Sequence, residues 1–289
     1  MTFKEFHKKF PYLDIEDLII HYSIFSGYPY INDLKLNKTL QETIKTEIID
    51  KIDILKNHFR YSEILSIQKD FEKILTRLAI GDRKNHTIYN KENLSQIKAR
   101  GLYKELFDMK IIKKEKSREK PLRDGKKPLK KSLRRYKIQD KIYFQNNFTR
   151  FWFVFIAPNL SNSKQITSGN IISNIDRFTS LEFENLSNFL IAKKYKNEQI
   201  YSYGGYWDKD MEIDLLFISE NIKIAGEAKW KNHKICKNIL NSLQNKCKKA
   251  NLKIDKFALF SKSGYSKELY SKKYDNISLY ELKDFEELL

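Results

Sequence analysis

Residues 211–230 read Met211-Glu212-Ile213-Asp214-Leu215-Leu216-Phe217-Ile218-Ser219-Glu220-Asn221-Ile222-Lys223-Ile224-Ala225-Gly226-Glu227-Ala228-Lys229-Trp230. Two apolar, β-rich stretches, Met211 to Ser219 and Ile222 to Trp230, are separated only by Glu220-Asn221, so a tight hairpin is the expected connection. With that loop, residues whose numbers sum to 441 face each other, which sets Asp214 across from Glu227. Their Cβ atoms would stand about 5 Å apart, and like charges so placed destabilise a sheet unless a cation neutralises them. Glu227 and Lys229, two apart on one strand, project to the same face. An acid followed about a dozen positions later by E-x-K is the sparse signature of a metal-dependent phosphodiesterase.

The residue types suit that chemistry. The carboxylates of Asp214 and Glu227, with the Ala228 carbonyl, form an all-oxygen set suited to Mg²⁺ or Mn²⁺ and leave positions for water and a phosphate. Lys229 beside the ion would orient or deprotonate the attacking water and neutralise developing charge. The same register sets Glu212 opposite Lys229, so an ordinary cross-strand ion-pair ladder on a solvated face is the competing reading.

Downstream, the pattern predicts a helix from about Lys234 to Ala250, a strand at Lys256 to Ser261 and a helix after Ser263-Gly264. A strand at Ile277 to Tyr280 and a closing acidic helix complete an α/β core. Upstream, Ser180 to Lys194 carries Phe183, Leu186, Phe189 and Leu190 at the spacing of a helix packed on a sheet, and it would present Glu184 to the site.

Charge is the second signal. The chain has 289 residues and a net charge of +18, and residues 113–137 alone hold thirteen Lys or Arg against three acids. Lys113, Lys114, Lys116, Arg118, Lys120, Arg123, Lys126, Lys127, Lys130, Lys131, Arg134 and Arg135 are the expected phosphate contacts, with an affinity that falls steeply with salt. Three candidate helices precede the run, at Tyr61 to Ile80, Lys91 to Ile97 and Leu102 to Met109. The apolar pair Ile111-Ile112 and a strand-like Tyr136-Lys137-Ile138 flank it, with Pro121, Asp124-Gly125 and Pro128 as turns. Helices followed by a two-stranded ribbon predict a winged helix whose wing is the basic run; a solvated loop is the alternative. The acids on the polar face of the Leu102 to Lys110 helix argue against base-specific reading.

The aromatic segment Asp140 to Asn159 is expected to be a buried helix joining two modules rather than a base-stacking platform. Before residue 60, Leu13, Ile15, Leu18 and Ile19, then Ile44, Ile48, Ile49, Ile52, Ile54 and Leu55, predict amphipathic helices. No apolar stretch approaches the roughly 20 residues that span a bilayer, and MTFKEFHKKF lacks a signal-peptide core, so no membrane partner and a cytoplasmic location are expected. Cys236 and Cys247, eleven apart on one predicted helix, stand about 16 Å apart at 1.5 Å per residue, too far for a disulfide. The five histidines form no zinc pattern, and His233, just past the E-x-K strand, has basic neighbours that favour a surface role.

On Glu184 in Phe183-Glu184, Asp214 in Glu212-Ile213-Asp214-Leu215, Glu227 and Lys229 in Gly226-Glu227-Ala228-Lys229-Trp230, and Gln244, the chain resembles the PD-(D/E)xK nuclease superfamily. The branch concerned includes Holliday-junction resolvases and type IV restriction endonucleases. Over nearly its whole length the chain also resembles the C-terminal region of archaeal-type AAA ATPases, in Tyr136 to Asp140, Phe151 to Phe155 with Pro158-Asn159, Gly205 to Asp208 and Phe260 to Tyr265. The segment from His21 through Gly27-Tyr28-Pro29-Tyr30 to Leu34 is similar to the helical lid of those proteins. The sequence has no G-x-x-x-x-G-K-S/T, so no ATP site is expected.

The expectation is an α+β multidomain protein: a helical lid-like module (1–60), a winged helix-turn-helix domain (61–160) and a restriction-endonuclease-like α/β domain with a mixed sheet (161–289). Its expected activity is Mg²⁺- or Mn²⁺-dependent cleavage of DNA, duplex or branched. Catalysis would fall to Glu184, Asp214, Glu227 and Lys229, with Glu184 holding a second metal or orienting the first, and substrate contact to Gln244, Tyr206 and Trp207. A homodimer and a separate ATPase are the candidate protein partners. The alternative function is a non-catalytic DNA-binding scaffold.

Overall fold

The computed structural model describes residues 1–81, 83, 94–118, 139–270 and 276–289. These residues form two compact units. The first holds Met1–Leu13, Asp17–Lys116 and Gln139–Phe178. The second runs from Thr179 to Leu289 and includes Asp14–Glu16 and the chain from Ser117.

In the first unit, side-chain caps set helix starts. Thr2 and Glu5 form a capping box for Phe3–Lys9, and Thr39 and Glu42 form another for Leu40–Ile44. Gly27 sits at φ +85°, and a Cβ there would lie 2.5 Å from the Asn146 side chain, so the turn after the Ile15–Phe25 helix requires glycine. The next residue, Tyr28, is buried against Phe148 with ring centroids 4.9 Å apart.

The helix Leu65–Ile80 is followed by Gln96–Asp108, capped by Ser95, and by an antiparallel ribbon of β1 (Ile112–Glu115) and β2 (Lys141–Phe144). Among the described residues the helices expected at Lys91 to Ile97 and Leu102 to Met109 are joined in one helix from Gln96, and residues 91–93 lie outside the described residues. Gly101 does not interrupt it, because a solvent-facing glycine weakens a helix by only about 1 kcal/mol and the buried stripe Ala99, Leu102, Tyr103 and Leu106 runs through it. The expected strand at Tyr136 to Ile138 lies outside the described residues, and the ribbon closes with β2. Ile142 and Phe144, two apart, are both buried there.

The aromatic segment is buried as expected, but it is a strand followed by a helix rather than one helix. After β2, Asn146 caps a helical run, Asn147–Phe151, π-helical Trp152–Ile156 and Ala157–Ser161, in which Phe148, Phe151, Trp152, Phe153 and Ile156 are at most 3 % exposed. Phe59 stacks on Trp152 at 4.4 Å, so these rings make core contacts and are not presented to bases.

The second unit is built on a mixed five-stranded sheet. Its strands are β3 (Ile200–Ser202), β6 (Leu215–Ser219), β7 (Lys223–Lys229), β8 (Lys256–Ser261) and β9 (Ile277–Tyr280), in the order β3-β6-β7-β8-β9. A separate two-stranded pair, β4 (Tyr206–Trp207) and β5 (Glu212–Ile213), lies between β3 and β6 in sequence. β3, β6 and β7 pair antiparallel, while β7, β8 and β9 pair parallel. A parallel connection needs a crossover, and the Lys237–Lys249 helix supplies it between β7 and β8, burying Leu240, Leu243 and Cys247. Cys236 is the exposed N-cap of that helix while Cys247 is buried. The closing helix, Leu282–Leu288, is 3₁₀.

The Ile175–Lys194 helix buries Phe183, Leu186, Leu190 and Ile191, whereas Phe189, expected inside, is 51 % exposed. At about 100° per residue, position 189 falls roughly 240° round from 183, off the stripe that 183, 186, 190 and 191 share. Among the described residues no helix is long and apolar enough to cross a membrane.

Candidate active site

The hairpin register is the expected one. Leu215 pairs with Gly226, Leu216 with Ala225, Phe217 with Ile224 and Ile218 with Lys223, each pair summing to 441. Neither Glu220 nor Asn221 has positive φ; the loop is tied instead by the Ser219 amide on the Ile222 carbonyl at 2.9 Å and by Asn221 donating to Glu198 at 2.8 Å. Gly226 admits no larger residue without adjustment, since a Cβ there would stand 3.0 Å from the Ala258 carbonyl and 3.2 Å from Leu215 Cβ. Close strand packing therefore sets the height of Glu227, the next residue.

The expected single strand from Met211 to Ser219 is divided at Asp214. Glu212 and Ile213 pair with Trp207 and Tyr206, and β6 begins at Leu215. Glu212 thus pairs with Trp207 of β4, and the β6–β7 ladder stops at Leu215 and Gly226, short of the Glu212–Lys229 rung of the ion-pair reading. Asp214, released from the ladder, accepts a hydrogen bond from the Ala228 amide at 3.1 Å. Asn188 of the Ile175–Lys194 helix fixes its backbone, donating to the Asp214 carbonyl at 3.1 Å and to the Glu184 carbonyl at 2.9 Å.

Four charged side chains meet at this break. Lys229 Nζ lies 2.8 Å from Glu227 Oε1, 3.3 Å from Asp214 Oδ2 and 3.1 Å from the Ala228 carbonyl. Lys246, from the Lys237–Lys249 helix, contacts both oxygens of Glu227, at 3.2 and 3.0 Å. All four are largely shielded, with side-chain exposures of 13 % for Asp214, 10 % for Glu227, 23 % for Lys229 and 27 % for Lys246. Burial, and then the charge of Glu227, raise the Asp214 carboxyl above its ordinary range; Lys229, the Ala228 amide and Lys246 pull the other way. Burial alone would lower the Lys229 amine, yet the charges and hydrogen bonds of Asp214 and Glu227 outweigh it and raise the amine.

Other expected site residues are placed differently. Glu184 is half-buried and does not make a third ligand: among the described residues no three His, Cys, Asp or Glu side chains gather to hold an ion. Tyr206 and Trp207 are only 3 % and 2 % exposed, packed to hold the β4–β5 hairpin rather than presented to a substrate. The Trp207 amide donates to Ser117 Oγ at 3.0 Å, and Arg118 donates to the Tyr203 carbonyl, so these two residues of the basic run are part of this unit. Lys113, Lys114 and Lys116 are exposed, Arg118 is half-buried, and Lys120, Arg123, Lys126, Lys127, Lys130, Lys131, Arg134 and Arg135 lie outside the described residues. His233 is exposed.

Gln244 is half-buried, and Lys246 is the residue that the helix delivers to Glu227. Sequence reasoning missed Lys246. Both positions flank the buried stripe Leu240, Leu243 and Cys247, one on each side at about 100° per residue, and only the crossover's placement decides which flank meets the carboxylates.

Residues 152–249, which contain all four charged side chains, match a family described as "Archaea bacterial proteins of unknown function", DUF234. The chain is 27 % identical over 304 residues to an uncharacterized protein of Methanocaldococcus jannaschii, in a match covering 99 % of this chain and 64 % of that protein. It therefore spans somewhat less than two thirds of that relative's length. No solved structure matches the chain.

Proposed function

We propose that the second unit is a metal-dependent phosphodiesterase acting on DNA, a nuclease of the PD-(D/E)xK kind. One observation carries the reading: Asp214 Oδ2, Glu227 Oε1 and the Ala228 carbonyl converge on a single cationic atom, Lys229 Nζ, at 3.3, 2.8 and 3.1 Å. Three hard oxygens around one positive point are a donor set that fits Mg²⁺ or Mn²⁺, with the ammonium standing where the ion would go. Such an ion, when bound, supplies Lewis acidity and an activated water for in-line attack on phosphorus. Asp214, Glu227 and the Ala228 carbonyl would hold it, and the Ala228 amide and Asn188 keep Asp214 aimed. With the oxygens so occupied, Lys229 would donate to the phosphoryl oxygens as negative charge builds. The basic run from Lys113 supplies affinity for the DNA backbone, duplex or branched. A second copy of the chain for the opposite strand and a separate ATPase are partners compatible with this reading.

A second reading, a DNA-binding scaffold without turnover, is favoured by the Lys229 ammonium already satisfying both carboxylates and by the lack of a third acid beside them among the described residues. Plasmid and branched DNA incubated with Mn²⁺, Mg²⁺ or chelator separate the two. Metal-dependent cleavage by the wild type, falling at least about 10²-fold in Asp214→Ala and Lys229→Ala, supports the nuclease. Binding of both DNAs with no cleavage under either metal would leave the scaffold.

A further inference from the structure

The two lysines on Glu227 are not equivalent. Lys229 Nζ has three acceptors, Asp214, Glu227 and the Ala228 carbonyl, one for each of its three N–H donors. Lys246 Nζ spends its contacts on one carboxylate, at 3.2 and 3.0 Å, and its side chain is the most exposed of the four at 27 %. It hangs from a helix by a four-carbon stem and is held at one carboxylate, where Lys229 is held at three points. With both acids and both amines ionised the quartet is electrically neutral, so it neither attracts a phosphodiester nor tolerates a further cation without rearrangement.

We propose that Lys246 is a substrate-phosphate ligand that rests on Glu227 until a divalent cation takes that carboxylate. An ion bound to Glu227 competes with Lys246 for the same two oxygens and repels its ammonium. The freed amine then faces outward beside a site that has gained two positive charges, where a non-bridging phosphate oxygen is the natural acceptor. This rests on the phosphodiesterase reading and assigns the Lys237–Lys249 helix a share in substrate binding through Lys246 rather than Gln244.

The proposal predicts signs that a merely structural clamp would reverse. In the full chain, Mn²⁺ affinity is read from the free-ion electron paramagnetic resonance signal. Binding of the dinucleotide dTpdT beside Mn²⁺ is read from broadening of its phosphorus resonance. Lys246→Gln should bind Mn²⁺ more tightly, by about threefold to tenfold, and should bind dTpdT about tenfold more weakly; Lys246→Arg should return both toward wild type. Weaker Mn²⁺ binding in Lys246→Gln would make Lys246 a clamp that holds Glu227 in place and overturn the proposal, as would unchanged dTpdT binding. If Lys246→Gln loses its thermal transition, the charge-conserving Lys246→Arg decides alone: Mn²⁺ and dTpdT affinities near wild type support the proposal, and loss of dTpdT binding overturns it. A wild type that takes up no Mn²⁺ defeats the phosphodiesterase reading itself; a wild type that takes it up while Lys246→Gln behaves identically defeats only the role of Lys246.

Discussion

The β6–β7 hairpin and the β1–β2 ribbon are both antiparallel pairs, yet one was legible residue by residue and the other was not. In the hairpin a two-residue loop joins strands that pair in the register its length dictates, Leu215 to Gly226 through Ile218 to Lys223. In the ribbon, Ile112 pairs with Phe144 and Glu115 with Lys141 across an intervening chain of 25 residues, 116–140. A short loop leaves few ways to close, whereas each doubling of a long one adds only about 0.6 kcal/mol of closure entropy, so many registers compete and packing must choose. The ribbon closes with β2, where Ile142 and Phe144 are buried, while the strand expected at Tyr136 to Ile138 lies outside the described residues.

The largest expected effect tests whether the two pairs are separately held. Phe217 is fully buried on β6, and Phe217→Ala should destabilise the second unit by about 3–5 kcal/mol, read by chemical denaturation. In hydrogen exchange, amides of β7 and β8 should lose protection while those of β1 and β2 keep theirs. Equal loss in both places would show that the sheet and the ribbon unfold together and that the contrast between them does not extend to stability.

A smaller effect sharpens what the hairpin does for the site. Gly226 is close enough to Ala258 and Leu215 that Gly226→Ala should cost about 1–3 kcal/mol by overpacking. Because Glu227 follows directly, the same substitution should weaken Mn²⁺ binding along with the melting temperature. A loss of stability with unchanged Mn²⁺ affinity would mean that Glu227 is positioned by its two lysines and not by the strand beneath it.

What was legible follows the range of the interactions concerned. The β8 and β9 spans and the hairpin register from Leu215 to Gly226 depend on local periodicity and a short loop, and they stand as read. The break at Asp214 was not legible, because it arises where β5 leaves the sheet to pair with β4, a contact that alternation along the strand cannot encode. Nor was Lys246, whose place depends on how a crossover helix is laid across the sheet. Tyr206 and Trp207, expected at the substrate, are instead buried, and a Cβ at Gly205 would stand 3.3 Å from the Trp207 ring. Glu184 shared a helix with the right neighbours, yet it is Asn188, one turn on, that reaches Asp214.

The smallest expected shift in stability is a gain. Asp214 has its carboxyl raised by burial and by Glu227, so the folded protein binds that proton more tightly than the unfolded chain does. A raised value means that the group's contribution is fully present below the unfolded carboxylate pKa of about 3.9 and is lost as pH rises through the folded value. At neutral pH Asp214 is therefore a charge that the fold tolerates at some cost, partly offset by Lys229 and Lys246. Asp214→Asn keeps the shape and an oxygen for the Ala228 amide while removing that charge, so it should melt higher than wild type at pH 7, with the advantage shrinking on acidification toward pH 4. Added Mn²⁺ should raise the melting temperature of wild type and leave Asp214→Asn nearly where it was, since an ion relieves the repulsion that the amide has already removed. A variant that melts lower than wild type at neutral pH would show that the Asp214–Lys229 contact outweighs the repulsion from Glu227, and that the quartet is a structural ion-pair network with no standing demand for a metal.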